Sequence, residues 1–419
     1  MDSLPPVDLL IIGAGPAGLG AAATAAAAGL SVVVLDRATV AGGMPRLCGH
    51  SPFGMREFHR IMGGRAYAAR LVATAERAGA RILANHSAVQ ITAAGVHVAT
   101  PDGVRCMAYR RLLLATGLRE ASRAARLLPG ERPMRGILTT GALQGLAYGP
   151  GAGSGGLVPF QRPVVLGSEL VAASALLTLR HLGIRPLALI EAGAHPVARW
   201  PVGLLPRLMG VPCHLNTRII DIHGRDQVQA VALRHANGSV QRIDCDGLLL
   251  TGAFTPDSSL ARMAGLRIDP ASQGPEIDSF GRCSQPGIYA AGNVLRGVET
   301  AGWAWAEGQR TARAILRDLA GDLPPADTGL RIATTGPLRL CLPQNVIPGA
   351  RHAAHPQLQL RVTRHVHGRL VLRDATGAEL WSRRLTGWPE RRILIAPARI
   401  PTLPSGETAI LSITEQATR

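Results

Sequence analysis

Apolar runs with the length of buried strands alternate with helical segments over the first half of the chain. Residues 7–12, VDLLII, form one such run, and an alanine-rich helical segment that Gly29 closes follows directly. The next run, SVVVLD at 31–36, completes a βαβ unit, the element from which parallel sheets are built. Residues 163–191 repeat this order of strand, helix and strand. The pattern predicts an α/β protein with two such units.

Strand-like patterning also marks regions outside these two units. Residues 86–100 and 110–117 are β-rich, and residues 227–252 predict a hairpin around an Asn-Gly pair that leads to a buried strand. Residues 149–157, GPGAGSGGL, are too rich in glycine for regular structure. We therefore expect a loop there, between two regions of sheet.

The last part of the chain changes from helical to strand-like patterning. A short strand motif, GIYAAGN at 287–293, precedes a predicted helix over 301–321. Beyond residue 325, five stretches alternate in the manner of strands, from LRIATTGPLRLCL to TAILSITE. They predict a small β-rich terminal domain.

The first βαβ unit carries the glycine motif GAGPAG between its strand and its helix. Gly13 permits the tight turn, Gly15 lets the backbone approach a pyrophosphate, and Gly18 allows close contact between helix and strand. The helix N-terminus offers unpaired N–H groups and a positive dipole end to phosphates. Asp36 follows Gly18 at the end of the next strand, where it can accept hydrogen bonds from an adenosine ribose. Motif and context together predict a dinucleotide site.

Two further segments distinguish the possible dinucleotides. RRLLLATG at 110–117 and GIYAAGN resemble the strand motifs by which the two-dinucleotide-domain flavoproteins complete an FAD domain. The resemblance implies that Gly292 and Asn293 approach the ribityl and pyrophosphate part of FAD. That family usually has aspartate at position 293, but an amide can still donate and accept. TAGWAWAEG resembles the start of the helix that points at the flavin ring, although core or interface packing is the alternative role for Trp303 and Trp305.

The resemblance therefore implies FAD as a cofactor, held by residues from these four segments and from residues 36–43. The expected FAD-binding residues are Gly13, Gly15, Pro16, Ala17, Gly18, Asp36, Arg37, Gly43, Ala115, Thr116, Gly117, Gly292, Asn293, Ala301, Gly302 and Trp303.

Residues 42–71 carry a further resemblance, in a pattern of GG, Cys-x-His, Phe-Gly and Tyr-Ala. It is similar to that of bacterial FAD/NAD(P)-binding oxidoreductases associated with glycerol-3-phosphate-dehydrogenase-like flavoproteins. Over about residues 5–325 the chain resembles the pyridine nucleotide-disulphide oxidoreductase superfamily and the large subunits of opine-oxidase and hydrogen-cyanide-synthase type dehydrogenases. GILTTGALQ at 136–144 is similar to the last group.

This likeness implies an α/β fold with two Rossmann-like dinucleotide-binding domains, as in glutathione-reductase-like proteins, and a small β-rich C-terminal domain. The expected FAD-binding domain comprises residues 1–122 and 280–325. An NAD(P)-binding-like domain with a degenerate glycine loop is expected over 123–279, and the β-rich domain over 326–419.

The chain departs from the disulphide reductases at its cysteines. Those enzymes have two redox cysteines in a CxxxxC motif soon after the GG, whereas here Cys48 is followed next by Cys106. Cys48 is a candidate flavin-adjacent thiol or a small packed side chain. His50 is a candidate proton donor or base near the flavin, since its usual pKa is close to neutrality, or a histidine that is hydrogen-bonded into a loop.

The second βαβ unit has GSELVA where an NAD(P) site normally has GxGxxG. Glu169 stands in place of the second glycine and would put a side chain and a negative charge beside a pyrophosphate. If NAD(P)H binds, Gly167 and Ser168 line its site and Glu191 favours NADH by accepting from the ribose. The alternative is that this unit serves only as support or contact.

Composition narrows the function classes. The chain has 45 basic residues against 28 acidic ones, a formal charge of +17, and every basic residue is arginine, which is typical of a genomic bias. The arginines form no block with interleaved aromatics, so we expect no nucleic-acid partner. The six cysteines include no CxxC pair, and we expect no metal site. We find neither a signal peptide nor an apolar run that could cross a bilayer, and a cytoplasmic location is expected.

Three functions fit these features. In the first, FAD accepts hydride from a small-molecule substrate in a dehydrogenase or reductase component, and electrons leave through a second flavoprotein or an iron-sulfur subunit. In the second, NAD(P)H reduces FAD, which reduces a separate acceptor. In the third, the chain is a non-catalytic FAD-binding scaffold whose terminal domain docks a catalytic partner. The identity of the substrate lies beyond what the fold can specify.

Overall fold

A computed structural model describes residues 4–149, 158–347, 349–389, 391–396 and 407–415 of the chain. The loop expected at 149–157 falls outside these residues except for Gly149. The first part of the chain contains β1 (Leu4–Ile12), α1 (Pro16–Ala27), β2 (Val32–Leu35), α2 (Gly64–Arg77), β3 (Arg81–Leu83), β4 (Ser87–Thr92), β5 (Gly95–Thr100) and β6 (Gly103–Leu114).

The first predicted βαβ unit is confirmed at the centre of a sheet. Strand β1 pairs in parallel with β2 on one side and β6 on the other, and β6 continues into an antiparallel meander with β5 and β4. Leu9 and Ile11 of β1 are fully buried because α1 and α2 cover one face of the sheet. The carboxyl ends of β1, β2 and β6 meet at one edge, where ligands of open α/β sheets bind.

The middle part of the chain contains β7 (Leu118–Glu120), β8 (Ile137–Thr139), α3 (Thr140–Tyr148), β9 (Pro163–Leu166), α4 (Leu170–His181), β10 (Ala188–Ile190), α5 (Leu205–Leu208), β11 (Cys213–His214), β12 (Arg218–His223), β13 (Ala230–Arg234), β14 (Val240–Asp244), β15 (Gly247–Leu250), β16 (Phe254–Pro256) and α6 (Ser259–Met263).

These elements form a second parallel sheet in the order β11-β10-β9-β15-β8, which confirms the second βαβ unit. Strands β13 and β14 form the hairpin expected around Asn237 and Gly238, and β15 is the buried strand that follows it. Helix α4 covers β9 with its apolar face. Two parallel sheets with helices packed against them confirm the predicted α/β fold class.

The chain then returns to the first sheet. Strand β17 (Ile288–Ala290) pairs in parallel with β6, although the whole second sheet lies between these two strands in the sequence. Helix α7 (Ala301–Leu319) follows and packs against α1. The strand motif and the helix expected from the sequence are thus both present.

The terminal part of the chain forms β18 (Leu330–Thr334), β19 (Leu338–Leu342), β20 (Asn345–Val346), β21 (Leu358–Val362), β22 (Val366–Arg373), β23 (Glu379–Gly387), β24 (Ile393–Ile395) and β25 (Thr408–Glu415). These strands make a five-stranded and a three-stranded sheet around a core of their own. Leu340 and Leu342 instead join the apolar core on the other face of the first sheet. The domain limits themselves stay predictions.

Candidate functional site

The GAGPAG loop forms a tight turn at the carboxyl end of β1. Gly13 has φ of +109°, and a Cβ there would clash with the carbonyl oxygen of Ala115 at the end of β6. A Cβ on Gly18 would clash with the Gly13 carbonyl oxygen, so α1 starts close to the strand. By contrast, nothing lies within 4 Å of a Cβ built on Gly15. The loop is closely packed on its inner side and open at Gly15.

Asp36 and its neighbours form the next side of this edge. The two carboxylate oxygens of Asp36 accept hydrogen bonds from the amides of Ala14 (2.9 Å) and Ala38 (2.8 Å). Arg37 is largely exposed and lies 3.6 Å from the carboxylate of Asp257. Gly43 has φ of +63°, and a Cβ there would come within 2.8 Å of the Gly15 Cα. Asp36 thus fixes the loop, and Gly43 borders the open space beside Gly15.

The carboxyl end of β6 supplies three more of the expected cofactor residues. Ala115 is buried against the glycine turn, and Thr116 Oγ1 donates to the carbonyl oxygen of Asp257 (2.8 Å). Gly117 has φ of +76°, and a Cβ there would meet no atom within 4 Å. These residues connect the first sheet to the segment before α6.

Gly292 and Asn293 lie across from the start of α1. A Cβ on Gly292 would come within 2.6 Å of the Ala17 Cβ, and its amide donates to Glu307 Oε1 (2.7 Å). Asn293 accepts from the amide of Glu299 (2.8 Å) and donates to the carbonyl oxygen of the same residue (3.2 Å). Its side chain therefore closes the turn that leads into α7.

Helix α7 begins at Ala301, Gly302 and Trp303. A Cβ on Gly302 would clash with the carboxylate of Glu57, so the start of this helix lies directly against the loop before α2. Trp303 is half-buried, whereas Trp305 is buried within the first core. For Trp305, core packing is the role that the structure supports.

The residues at this edge fit FAD. The first amides of α1 have no acceptor within their own helix and point with the helix dipole toward the open space at Gly15. Pro16 at the first helical position removes one donor that would otherwise need a partner. The glycines at 13, 18, 43 and 292 stand where a side chain would clash with neighbouring atoms. This is the chemistry expected of a pyrophosphate site.

Cys48 and His50 lie in the loop after Gly43 and contact the second sheet's helices. His50 Nε2 is 2.6 Å from Ser174 Oγ on α4, and the side-chain amide of Gln144 on α3 donates to the same oxygen (2.7 Å). Cys48 Sγ lies 4.0 Å from Gln144 Oε1. The two candidate catalytic residues and two residues from the middle of the chain thus form one polar cluster.

Burial keeps this cluster uncharged. It raises the pKa of the Cys48 thiol to about 11 and lowers the pKa of His50. Nδ1 of His50 lies 3.4 Å from the carbonyl oxygen of Ser51, and Nε2 is the nitrogen that contacts Ser174. A neutral thiol is a poor nucleophile, whereas a neutral imidazole nitrogen can accept a proton.

The second glycine loop is filled by a side chain of the protein. Glu169 is partly buried, and its Oε2 accepts from Thr251 Oγ1 at the end of β15 (2.9 Å). A Cβ on Gly167 or Gly252 would clash with atoms of this carboxylate or its partner. Burial raises the pKa of Glu169, and Arg126 partly opposes this rise. The carboxylate occupies the carboxyl ends of β9 and β15.

The segment after β10 closes over the same loop. Ser168 Oγ is hydrogen-bonded to Glu191 and accepts from the Val197 amide (3.0 Å), and the Ser168 carbonyl oxygen accepts from the Ala198 amide (2.9 Å). Glu191 also accepts from Gly193 (2.8 Å). The three residues expected to line a nicotinamide dinucleotide therefore lie together at this edge, and Ser168 and Glu191 are bonded to each other and to the protein's own backbone.

Several polar residues of the site carry no motif in the sequence. Ser174 and Gln144 meet His50 only because α3 and α4 pack against the loop after Gly43. Glu307 and Arg296 are buried together (2.6 Å) below Gly292. The sequence pattern of an amphipathic helix does not predict that one of its glutamates forms a buried ion pair. Among the described residues, no group of three or more His, Cys, Asp or Glu side chains is placed to hold a metal ion.

Several known proteins are similar to this chain in sequence. The profile of the pyridine nucleotide-disulphide oxidoreductases matches residues 7–308. An opine oxidase subunit from Agrobacterium tumefaciens (strain Ach5) is 28% identical over 342 residues, which cover 74% of this chain and 66% of that protein. The ferredoxin reductase component of chlorobenzene dioxygenase from Cupriavidus sp. (strain PS12) is 26% identical over 334 residues, with 74% of each chain covered. The match to the alpha subunit of sarcosine oxidase from Rhizobium meliloti (strain 1021) covers 34% of that protein at 25% identity. The chain thus spans only part of the length of these relatives.

Solved structures share the fold. Thioredoxin reductase of T. acidophilum superimposes with a TM-score of 0.62 at 23% identity, and covers 75% of this chain and 99% of its own. L-proline dehydrogenase from P. horikoshii gives a TM-score of 0.57 at 21% identity, over 76% of this chain and 57% of that one. In the described part of this chain, no helix combines the length and apolar character needed to cross a membrane.

Proposed function

The chain belongs to the pyridine nucleotide-disulphide oxidoreductase family, and we propose that it is the FAD-binding subunit of a dehydrogenase that oxidises a small molecule. Members of this family are oxidoreductases that bind FAD and use NAD(P)H. In this chain, FAD would lie along the edge formed by the GAGPAG loop, Asp36 and Gly292. Electrons would leave through a partner protein, a second flavoprotein or an iron-sulfur subunit.

The contrast between the two glycine loops carries this proposal. The first loop is open at Gly15, whereas the second contains the partly buried side chain of Glu169 and is bonded to the backbone of Val197 and Ala198. A pyrophosphate at the second loop would have to displace the carboxylate and that segment. The electron source that requires no such rearrangement is a substrate other than NAD(P)H.

The cysteines and the relatives support an electron route through a partner. Cys48 has no partner in a CxxxxC motif, since the next cysteine in the sequence is Cys106. The chain contains no CxxC pair that would hold an iron-sulfur cluster. Two of the relatives are named as subunits of oxidases, and a third as a component of a dioxygenase. Such names suit a chain that acts within an assembly.

The chain's own residues have defined tasks in this reaction. When bound, FAD supplies a two-electron acceptor for hydride. The first turn of α1 binds the pyrophosphate, and the start of α7 lies where the family's helix approaches the flavin. His50 is hydrogen-bonded to Ser174 through Nε2, and its neutral ring is the candidate acceptor for a substrate proton.

An anaerobic absorbance titration tests the proposal. The purified protein is checked for released FAD and then titrated with NADH and NADPH. We expect bound FAD whose absorbance neither nucleotide bleaches within minutes. Rapid bleaching by NADH would contradict the proposal and make the chain a reductase, and absence of flavin would contradict FAD binding itself.

The reductase is the second candidate, because one relative is a ferredoxin reductase component. It requires the loop at Glu169 to accept pyrophosphate. In that case Glu169→Gly should tighten NADH binding, measured as the NADH concentration that half-reduces the flavin, while Glu76→Gly on the exposed face of α2 should not. A cytoplasmic location stays a prediction from the sequence.

A further inference from the structure

Trp303 at the start of α7 has an arginine against each face of its indole ring. The guanidinium carbon of Arg56 lies 3.6 Å from the ring centroid, and that of Arg392 lies 3.8 Å from it. Two guanidinium groups this close to one centroid would overlap on a single face, so they cover opposite faces of the ring. Arg56 comes from the loop before α2 and Arg392 from the segment before β24. The arrangement joins two distant parts of the chain beside one helix terminus.

The carboxylates below this tryptophan are already paired with other arginines. Glu307 accepts from Arg296 (2.6 Å), and Glu299 accepts from Arg361 (2.5 Å). All four side chains are nearly inaccessible to solvent. Each of these pairs is neutral as a whole, so the positive charges of Arg56 and Arg392 are not balanced by them.

The additional charge is concentrated around Trp303. Arg392 lies 3.5 Å from Glu299, whose carboxylate Arg361 already engages. Burial lowers the pKa of Arg392, and repulsion from Arg361, Arg296 and Arg56 lowers it further, although Glu299 opposes them. Arg56 is exposed, and its guanidinium group stacks on the ring of Trp303. The two guanidinium groups therefore keep donors for an anion.

We propose that Arg56 and Arg392 bind the carboxylate groups of a small organic acid, and that this acid is the substrate class of the site. The inference rests on the proposed function, because the start of α7 is where the family's helix approaches the flavin. Guanidinium groups match carboxylates with two parallel hydrogen bonds, and the rigid ring between them fixes their separation. A small acid is favoured over an acidic protein because Trp303 is half-buried and Arg392 is only 24% exposed.

Tryptophan fluorescence of the full-length protein tests this binding. Glutarate and the neutral glutaramide are titrated at constant ionic strength, since salt screens exposed charges. We expect glutarate to change the emission with saturation and glutaramide to leave it unchanged. Arg56→Gln should weaken glutarate binding by about tenfold or more, as loss of a charge-assisted hydrogen bond does. Arg60→Gln is the matched control, because Arg60 is an exposed arginine of the same loop.

Other results would overturn the proposal. Equal responses to glutarate and glutaramide, or equal losses in Arg56→Gln and Arg60→Gln, would show that the arginines bind no carboxylate. Binding of poly-glutamate without binding of glutarate would make the surface a docking face for an acidic protein. Arg392→Gln repeats the test from the other face of the ring. FAD content, measured separately by release, distinguishes failure of this inference from failure of the proposed function.

Discussion

Glu169 shows how one side chain changes the use of a familiar loop. It stands where a glycine would let a pyrophosphate approach, and its carboxylate turns inward to Thr251 instead of outward to solvent. A buried carboxyl group is stable only with hydrogen bonds, or with its proton retained. Glu169 therefore fills the loop at a cost in folding stability, and this cost depends on pH.

Glu169→Gln should change how stability depends on pH. Burial raises the pKa of Glu169, so the folded state holds its proton more tightly than the unfolded state does. The contribution of Glu169 to the stability of the wild-type protein therefore falls as the pH rises above about 4.5 toward the folded pKa. The glutamine variant lacks this loss. Its free energy of unfolding should therefore rise relative to that of the wild type over this interval, as measured by urea unfolding from pH 5 to 8. Glu76→Gln, on the exposed face of α2, should follow the wild type. Parallel profiles for all three proteins would refute the argument.

His355 should make the protein less stable as the pH falls, which is the opposite of the effect of Glu169. Burial lowers the pKa of His355 to about 4, and nearby Arg296 and Arg310 favour the neutral ring, although Glu307 opposes them. The unfolded state takes up a proton below about pH 6.5 and the folded state does not, so about 3 kcal/mol is lost between pH 6.5 and 4. The pKa of Glu307 is about 2, so this carboxylate stays charged throughout.

The measurement for His355 is urea unfolding over that interval. His355→Gln should flatten the profile, whereas His352→Asn, at an exposed position with a positive φ, should not. An unchanged slope in His355→Gln would mean that other groups carry the acid sensitivity.

The sequence identified residues that act through local geometry. The turn at Gly13, the open position at Gly15 and the end of β2 at Asp36 were predictable because each depends on neighbours a few residues away. Ser174 was not, since its contact with His50 spans 124 residues and depends on how two sheets pack. The functional roles of the predicted site residues stay predictions.

At the scale of elements, α1 and α7 pack with almost no space between them. A Cβ on Gly308 of α7 would come within 1.9 Å of the carbonyl oxygen of Ala17 in α1, and a Cβ on Gly20 of α1 would come within 2.5 Å of the carbonyl oxygen of Trp305. This contact places the start of α1, the proposed pyrophosphate site, beside the turn at Gly292. Helix spacing therefore sets the width of the cofactor edge.

Gly308→Ala should separate these helices. We expect a loss of about 2 kcal/mol in the free energy of unfolding, because the neighbouring atom is backbone and cannot move aside cheaply. FAD affinity should fall as well, measured by fluorescence of released flavin. Gly145→Ala is the matched control in α3, where nothing lies within 4 Å of the added Cβ. That variant should gain up to about 1 kcal/mol from helix propensity. Similar losses in both variants would contradict the role of helix contact.

Element patterns were easier to predict than element contacts. The alternation beyond residue 325 predicted the terminal strands, but β20, only two residues long, gave too short a pattern. Periodicity reports which residues face a core. It does not report which core, and Leu340 and Leu342 pack against the first sheet while their neighbours form a separate core.

At the scale of the whole molecule, the terminal region is part of the structure that carries the cofactor edge. Gln344 exchanges two hydrogen bonds with Ile277 (3.0 and 3.1 Å), and Arg361 donates to the carbonyl oxygens of Gly297 and Val298. The bonds of Gln344 hold the segment before β17, and those of Arg361 hold the segment between β17 and α7. A scaffold whose terminal region only docks a partner would not need them.

Deletion of residues 326–419 should therefore abolish FAD binding rather than spare it. The deletion removes Arg361 from the buried carboxylate of Glu299 and exposes apolar residues of the first core. We expect an insoluble or flavin-free product, as judged by gel filtration and flavin absorbance. A soluble, yellow protein of residues 1–325 with a cooperative thermal transition would contradict this, and would revive the docking role.

The position of β17 in the first sheet also has a consequence for how the protein is made. The edge of β6 pairs with β17, which the ribosome synthesises only after the whole second sheet. At about 5–20 residues per second, that interval is on the order of ten to thirty seconds. During it, the nascent chain presents the open edge of β6 and has no complete cradle for its cofactor. Flavin binding is thus a late step of biosynthesis. In a cell short of FAD, full-length chains would accumulate in which the N-terminal sheet, although synthesised first, is the last part to complete its fold.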